Sequence, residues 1–226
     1  MSVPPRQLPL DLPHVASFAR ADLLPAPQNA AALAMIDSWP RWPSPTMLLV
    51  GPGGAGKSHI GAIWARATGA RIVHADRLGE ASPVDVASGP ALLVEDADRI
   101  GAEEAALFHL LNLARENGVS ALITANRAPD LWGLGIADLL SRLRLAPIVA
   151  LGEPDADLTQ AVLFKLFSDR QLAVDPAVVS YIARRIERSL DAARVLVAAL
   201  DREALARGQR VTRAMAAALL RDSDEE

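Results

Sequence analysis

Apolar positions along the chain fall into two regimes. Between residues 46 and 151, short apolar runs recur, each bounded by glycine, proline or polar residues: Met47–Val50, Ala91–Val94, Ala121–Thr124 and Ala-Pro-Ile-Val-Ala-Leu at 146–151. Such runs mark strands buried on both faces, as in a parallel sheet. Ile60, Ile63 and Trp64 follow the first run at helical spacing, which predicts an α/β alternation. From 155 to 221 the pattern is helical throughout. Leu158, Val162, Leu163 and Leu166 share a face, Pro176 opens a second helix, 191–207 forms a third and 213–221 a fourth. Ahead of the sheet, 16–45 reads as a proline-rich entry with a helix over 28–39. The chain therefore divides into a tail at 1–15, an α/β core at 16–152, a small helical domain at 153–221 and a solvated end at 222–226.

Composition narrows the classes. About half of the 226 residues are hydrophobic, enough to bury a core, and no apolar run reaches 18 residues, so no membrane span is expected. The absence of cysteine removes disulfides and thiolate metal sites and fits a cytoplasmic protein. A net charge of −4 argues against broad binding along a phosphate backbone. Arg184, Arg185 and Arg188 form a local basic cluster that reads either as a phosphate contact or as a solvated helix face. Lysine occurs only twice, against 21 arginines, at Lys57 and Lys165.

Lys57 lies in the clearest motif of the chain. Gly51-Pro52-Gly53-Gly54-Ala55-Gly56-Lys57-Ser58 is a complete G-x-x-x-x-G-K-[ST], set between a predicted strand and a predicted helix. Glycines let backbone N–H groups converge on phosphate, and the helix start adds partial positive charge. Lys57 is expected at the β- and γ-phosphates of ATP or ADP and Ser58 at Mg²⁺, with His59 in the next helical position. Glu95 and Asp96 end the second apolar run, where a parallel sheet presents ligand groups. Glu95 is expected to hold Mg²⁺ through water and Asp96 to orient a nucleophilic water; the pair also reads as a helix cap. Asn126 ends the third run, placed to contact that water or the γ-phosphate, or simply to make a turn. Phe18 is placed to approach the adenine.

In order, the glycine loop, the acidic strand end, Leu-Ile-Thr-Ala-Asn-Arg-Ala-Pro (122–129) and Asp-Leu-Leu-Ser-Arg-Leu-Arg-Leu (138–145) resemble the AAA+ ATPases of the bacterial initiator branch. The likeness spans roughly residues 7–220 and is greatest to the short proteins homologous to the initiator DnaA that inactivate it. It implies a five-stranded parallel sheet followed by an all-helical lid. It also implies an arginine finger at Arg142, a nucleotide sensor at Asn126 and a lid arginine at Arg194. The residue-level alternatives are a solvated charge at Arg142 and an ordinary helix-surface arginine at Arg194. Two departures bear on the chain's own hydrolysis, which is expected to be weak. Glu95 stands where many initiators have aspartate, and Asn126 where close relatives often do.

Near the start, Gln7-Leu8-Pro9-Leu10-Asp11-Leu12 reads Q-L-x-L-x-L and resembles the hexapeptide by which bacterial proteins dock on the DNA sliding clamp. Proline limits the entropy lost on docking, Leu8, Leu10 and Leu12 supply apolar contact, and Gln7 a directional hydrogen bond. By itself the strip also reads as a self-packing tail. The resemblance implies a nucleotide-bound negative regulator that docks on the clamp and stimulates ATP hydrolysis by DnaA in trans. Too few residues follow the lid for a further DNA-binding domain, so no sequence-specific DNA binding is expected. Self-association stays open, as do a helicase-loader or transposition-type remodelling ATPase and a non-catalytic adaptor of the same fold.

Overall fold

The computed structural model describes residues 19–80 and 82–223. Gln7, Leu8, Leu10, Leu12 and Phe18 lie outside the described residues, as does the end of the chain from 224. The described residues fall into two compact units, 19–154 and 155–223.

The first unit opens with α1 (Ala30–Ser38) and β1 (Thr46–Val50), then α2 (Lys57–Thr68), β2 (Arg71–His74) and α3 (Pro83–Val86). It continues with β3 (Ala91–Glu95), α4 (Glu104–Glu116), β4 (Ser120–Ala125), α5 (Ala137–Leu145) and β5 (Ile148–Ala150). The five strands pair in the order β2-β3-β4-β1-β5, all parallel. Register sets the strand ends level: Val50 of β1 lies beside Ala125 of β4, and Glu95 of β3 beside His74 of β2. The carboxyl ends that carry the motif residues therefore share one edge of the sheet.

The four apolar runs are β1, β3, β4 and β5. The fifth strand, β2, is Arg-Ile-Val-His, too short and too polar to stand out, and Ile72 is 51% exposed at the sheet edge. Alternation along the strands feeds two core layers. Leu48, Leu92, Val94 and Ile123 pack with Leu107 and Leu110 of α4 and Leu139 and Leu143 of α5. Met47, Leu49, Leu93 and Leu122 pack with Ile36 of α1 and Ile60 and Trp64 of α2. Trp64 also stacks on Trp42 at 5.0 Å between ring centroids and meets the edge of Trp39 at 6.5 Å, which anchors the motif helix. The first predicted helix is shorter than 28–39. Asn29 is tied back into the preceding loop, its Oδ1 accepting from the Ala26 N–H, and Pro40 holds Trp39 out of helical geometry. On α5, Leu145 is 81% exposed and adds nothing to the core.

The second unit is α6 (Ala156–Asp169), α7 (Pro176–Ala183), α8 (Leu190–Arg207) and α9 (Arg213–Ser223). Side chains close the first turns: Asp155 accepts from Leu158 N–H at 2.8 Å, Asp175 from Ala177 at 2.8 Å and Ser189 from Ala192 at 3.2 Å. Leu163, Phe167, Val179, Ile182, Val197 and Leu200 form its core. Of the basic cluster, Arg184 donates to the Ser180 carbonyl at 3.1 Å, and Arg185 lies 4.1 Å from the centroid of the Tyr181 ring. Among the described residues no helix is long and apolar enough to cross a membrane.

Candidate functional site

The loop between β1 and α2 is shaped by close approach and by backbone hand. A Cβ at Gly51 would lie 2.5 Å from the Leu151 carbonyl oxygen, so only glycine fits where the chain leaving β5 passes. Gly54 and Gly56 take φ of +68° and +101°, which L side chains resist. Gly53 is different: a Cβ there would meet nothing within 4 Å. The fold leaves its outer side open, as a cradle for a ligand needs.

Lys57, at the first turn of α2, is buried (6% exposed). Its Nζ donates to the carbonyls of Gly51 at 2.7 Å and Pro52 at 2.8 Å, and to Asn126 Oδ1 at 2.9 Å. The lysine thus links the tip of β4 to the loop. Asn126 is held in turn by Asp98, which the sequence reading passed over. The Asn126 main-chain N–H donates to Asp98 Oδ1 at 3.0 Å, and Nδ2 donates to Asp98 Oδ2 at 3.1 Å. The Asp98 side chain is 4% exposed, and Arg127 stands 3.8 Å away. Asp98 reaches β4 because the chain reverses hand at Asp96, with φ +54° and ψ +45°. That conformation costs a non-glycine residue ~1–2 kcal/mol, and the Asp96 N–H is secured by Thr124 Oγ1 at 3.2 Å.

Glu95 ends β3 with its side chain 13% exposed. Burial pushes its carboxyl above the usual range; the Ser58 hydrogen bond and His74 pull it back, and the charge of Asp96 pushes it up again. The contact between Ser58 and Glu95 brings together the two residues expected at Mg²⁺. Hydroxyl and carboxylate are hard oxygen ligands that fit this ion. The described residues contain no cluster of three or more metal-ligating side chains, so such an ion would depend on phosphate oxygens and water for its remaining positions. Because folding raises the Glu95 pKa, the folded state binds its proton more tightly than the unfolded chain. Its ionisation therefore destabilises the fold as pH rises above about 4.5. Glu95→Gln is expected to raise the midpoint of ligand-free thermal unfolding at neutral pH. The gain shrinks as pH falls to 4.5, which paired melts at pH 4.5 and 7.5 check.

His59 and Arg142, also predicted at the site, have their described contacts with the entry segment and with α4. His59 has Nε2 3.3 Å from the Ala19 carbonyl and ties α2 to the entry segment. Arg142 is half-buried on α5; its guanidinium donates to Asn112 Oδ1 of α4 and lies 4.9 Å from the centroid of the Phe108 ring. Its described contacts are on α4, not at the cradle. Arg194 belongs to the second unit, on α8, where it donates to Asp191 at 2.7 Å. The structure therefore gathers the glycine loop, Lys57, Ser58, Glu95, Asp96 and Asn126 at one sheet edge. The acceptor-rich, buried network behind them suits a phosphate-binding lysine.

Comparison with known proteins bears on the fold. No family model matches the chain. It is 32% identical over 143 residues to the chromosomal replication initiator protein DnaA of Thermomicrobium roseum, covering 59% of this chain but 29% of that protein. Among solved structures, domain III of the Thermotoga maritima DnaA superposes with a TM-score of 0.76 at 18% identity, covering 91% of this chain and 96% of that one. A DnaA bound to AMPPCP and single-stranded DNA superposes at 0.68 with 15% identity, over 80% of this chain and 63% of that one. The parallel sheet and its glycine cradle define an AAA+ P-loop fold. The chain has that fold and is similar in sequence to DnaA, spanning under a third of the length of the curated initiator it matches.

Proposed function

We propose that this protein binds ADP or ATP with Mg²⁺, docks on the sliding clamp in the cytoplasm, and restrains replication by driving DnaA to its ADP form. The supporting observation is an intact cradle in a chain that also carries a half-buried Arg142 on α5, its described contacts on α4 and not at that cradle. Gly51, Pro52, Gly53, Gly54, Ala55 and Gly56 wrap the phosphates, Lys57 pairs with them, and Ser58 and Glu95 face the ion. The chain's own nucleotide acts as a structural switch. Arg142 meets the γ-phosphate of the ATP held by DnaA, where a planar guanidinium matches phosphate oxygens. Water takes the phosphoryl group, and ADP with inorganic phosphate remains. Gln7, Leu8, Leu10 and Leu12 bring the two proteins together on the clamp.

The experiment follows hydrolysis of labelled ATP on purified DnaA, with this protein and clamp loaded on DNA. Leu10→Ala/Leu12→Ala is expected to lower stimulation by about 10²-fold, because the encounter loses its effective concentration. A strip variant that stimulates as well as the parent overturns the clamp assignment. Rapid ATP turnover by this protein alone, with DnaA hydrolysis unmoved, identifies a remodelling ATPase instead.

A further inference from the structure

An asparagine side chain can present either end of its amide to a ligand, but at Asn126 the surroundings choose. Its main-chain N–H and Nδ2 both face the Asp98 carboxylate, at 3.0 and 3.1 Å, and its Oδ1 faces the Lys57 ammonium at 2.9 Å. The flipped amide would set Nδ2 against a cation and Oδ1 against an anion, so the orientation is fixed by chemistry. We propose that Asp98 is a positioning residue that locks Asn126 as an acceptor toward the cradle, biasing this chain toward nucleoside diphosphate over triphosphate.

The proposal rests on nucleotide binding at the cradle and adds which phosphate state that site selects. A terminal phosphate offers only acceptors. For Asn126 to donate to it, Nδ2 must leave Asp98, whose side chain is 4% exposed and would lose a donor in a buried place. Lys57 can turn from the Gly51 and Pro52 carbonyls to a β-phosphate in either nucleotide. The triphosphate alone brings an oxygen that needs a donor from the β4 tip and meets a carbonyl. Asp96 and Thr124 stiffen the arrangement, since the strained turn that delivers Asp98 is pinned to β4 by their 3.2 Å hydrogen bond.

Titration calorimetry with Mg²⁺ measures the full chain against ADP and against AMPPCP, a non-hydrolysable triphosphate. The parent is expected to bind ADP more tightly. In Asp98→Asn, the new amide donor turns Asn126 over, and the affinity ratio moves toward AMPPCP by about tenfold, the worth of one hydrogen bond to a charged group. On an Asn126→Ala background the same change at 98 is expected to leave the ratio where it was. A parent that prefers AMPPCP, an unchanged ratio in Asp98→Asn, or an equal shift without Asn126 overturns the proposal. Should Asp98→Asn fail to fold, Asp98→Asn/Asn126→Asp restores the pair with roles exchanged and turns a carboxylate toward the cradle. AMPPCP must then bind more weakly than to the parent, and undiminished binding refutes the lock. A parent that binds neither nucleotide defeats the reading of the cradle itself, and this inference with it; binding with an unmoved ratio defeats the lock alone.

Discussion

Lys57→Ala is expected to weaken ADP binding by about 10²-fold or more, because each charge-assisted hydrogen bond to phosphate is worth about 1.5–3 kcal/mol and a lysine makes more than one. The only other lysine of the chain, Lys165, lies in the second unit, paired with Asp169 at 2.9 Å. The substitution also strips a donor from the Gly51 and Pro52 carbonyls and from Asn126 Oδ1, which met Nζ at 2.7, 2.8 and 2.9 Å. The ligand-free protein should therefore melt earlier as well. Lys57→Arg is not a rescue: the site accepts a compact ammonium on a 6%-exposed stem, and a planar fork does not fit three acceptors set around one nitrogen. Calorimetry on ADP measures the first effect and a ligand-free melt the second. An affinity within threefold of the parent would mean that Lys57 is a structural clasp for the loop and not a phosphate ligand.

The same residues explain what could be read without a structure. The glycine loop was legible because its spacing has a local physical cause: Gly54 and Gly56 take positive φ within the loop itself, which L side chains resist. The central strands were legible because both of their faces are buried, so Leu48, Leu49, Leu92 and Leu93 form unbroken runs. β2 was not, since an edge strand has little to bury. Nor was α4 named, although Leu107, Leu110, Leu111 and Ala114 recur at helical spacing and carry that signal. Asp98 was missed for a deeper reason. Nothing in Glu-Asp-Ala-Asp distinguishes a third carboxylate that turns inward, because its partner Asn126 is 28 positions away and the turn depends on the left-handed backbone at Asp96. The dock of Arg142 on Asn112, 30 positions away, was equally out of reach. Motif spacing exposes groups that act through their own backbone, whereas pairing across the sheet needs the register of β3 with β4.

Arg142→Ala is expected to return DnaA hydrolysis on the loaded clamp to its unstimulated rate, a loss of ~10³-fold or more if the side chain acts as an arginine finger in trans. The contacts of Arg142 permit that role. One hydrogen bond to Asn112 and one ring contact with Phe108 hold the guanidinium. A cation–π contact is worth about 0.5–2 kcal/mol, depending on burial, and a typical hydrogen bond about 0.5–1.5 kcal/mol. A two-pronged pairing with phosphate, at about 1.5–3 kcal/mol for each hydrogen bond to a charged group, competes with both, so these contacts can be exchanged for it. Asn112→Ala should therefore leave stimulation intact or raise it, since it removes only a competing contact. Arg142→Lys should fail nearly as fully as alanine, because a point charge does not reproduce the fork. Arg144 supplies the internal control: it is two residues away and pairs with Asp130 at 2.6 Å, so Arg144→Ala should cost little. The same labelled-ATP assay reads all four variants. Full stimulation by Arg142→Ala, or a loss of similar size from Arg144→Ala, would show that α5 contributes general surface charge rather than a finger.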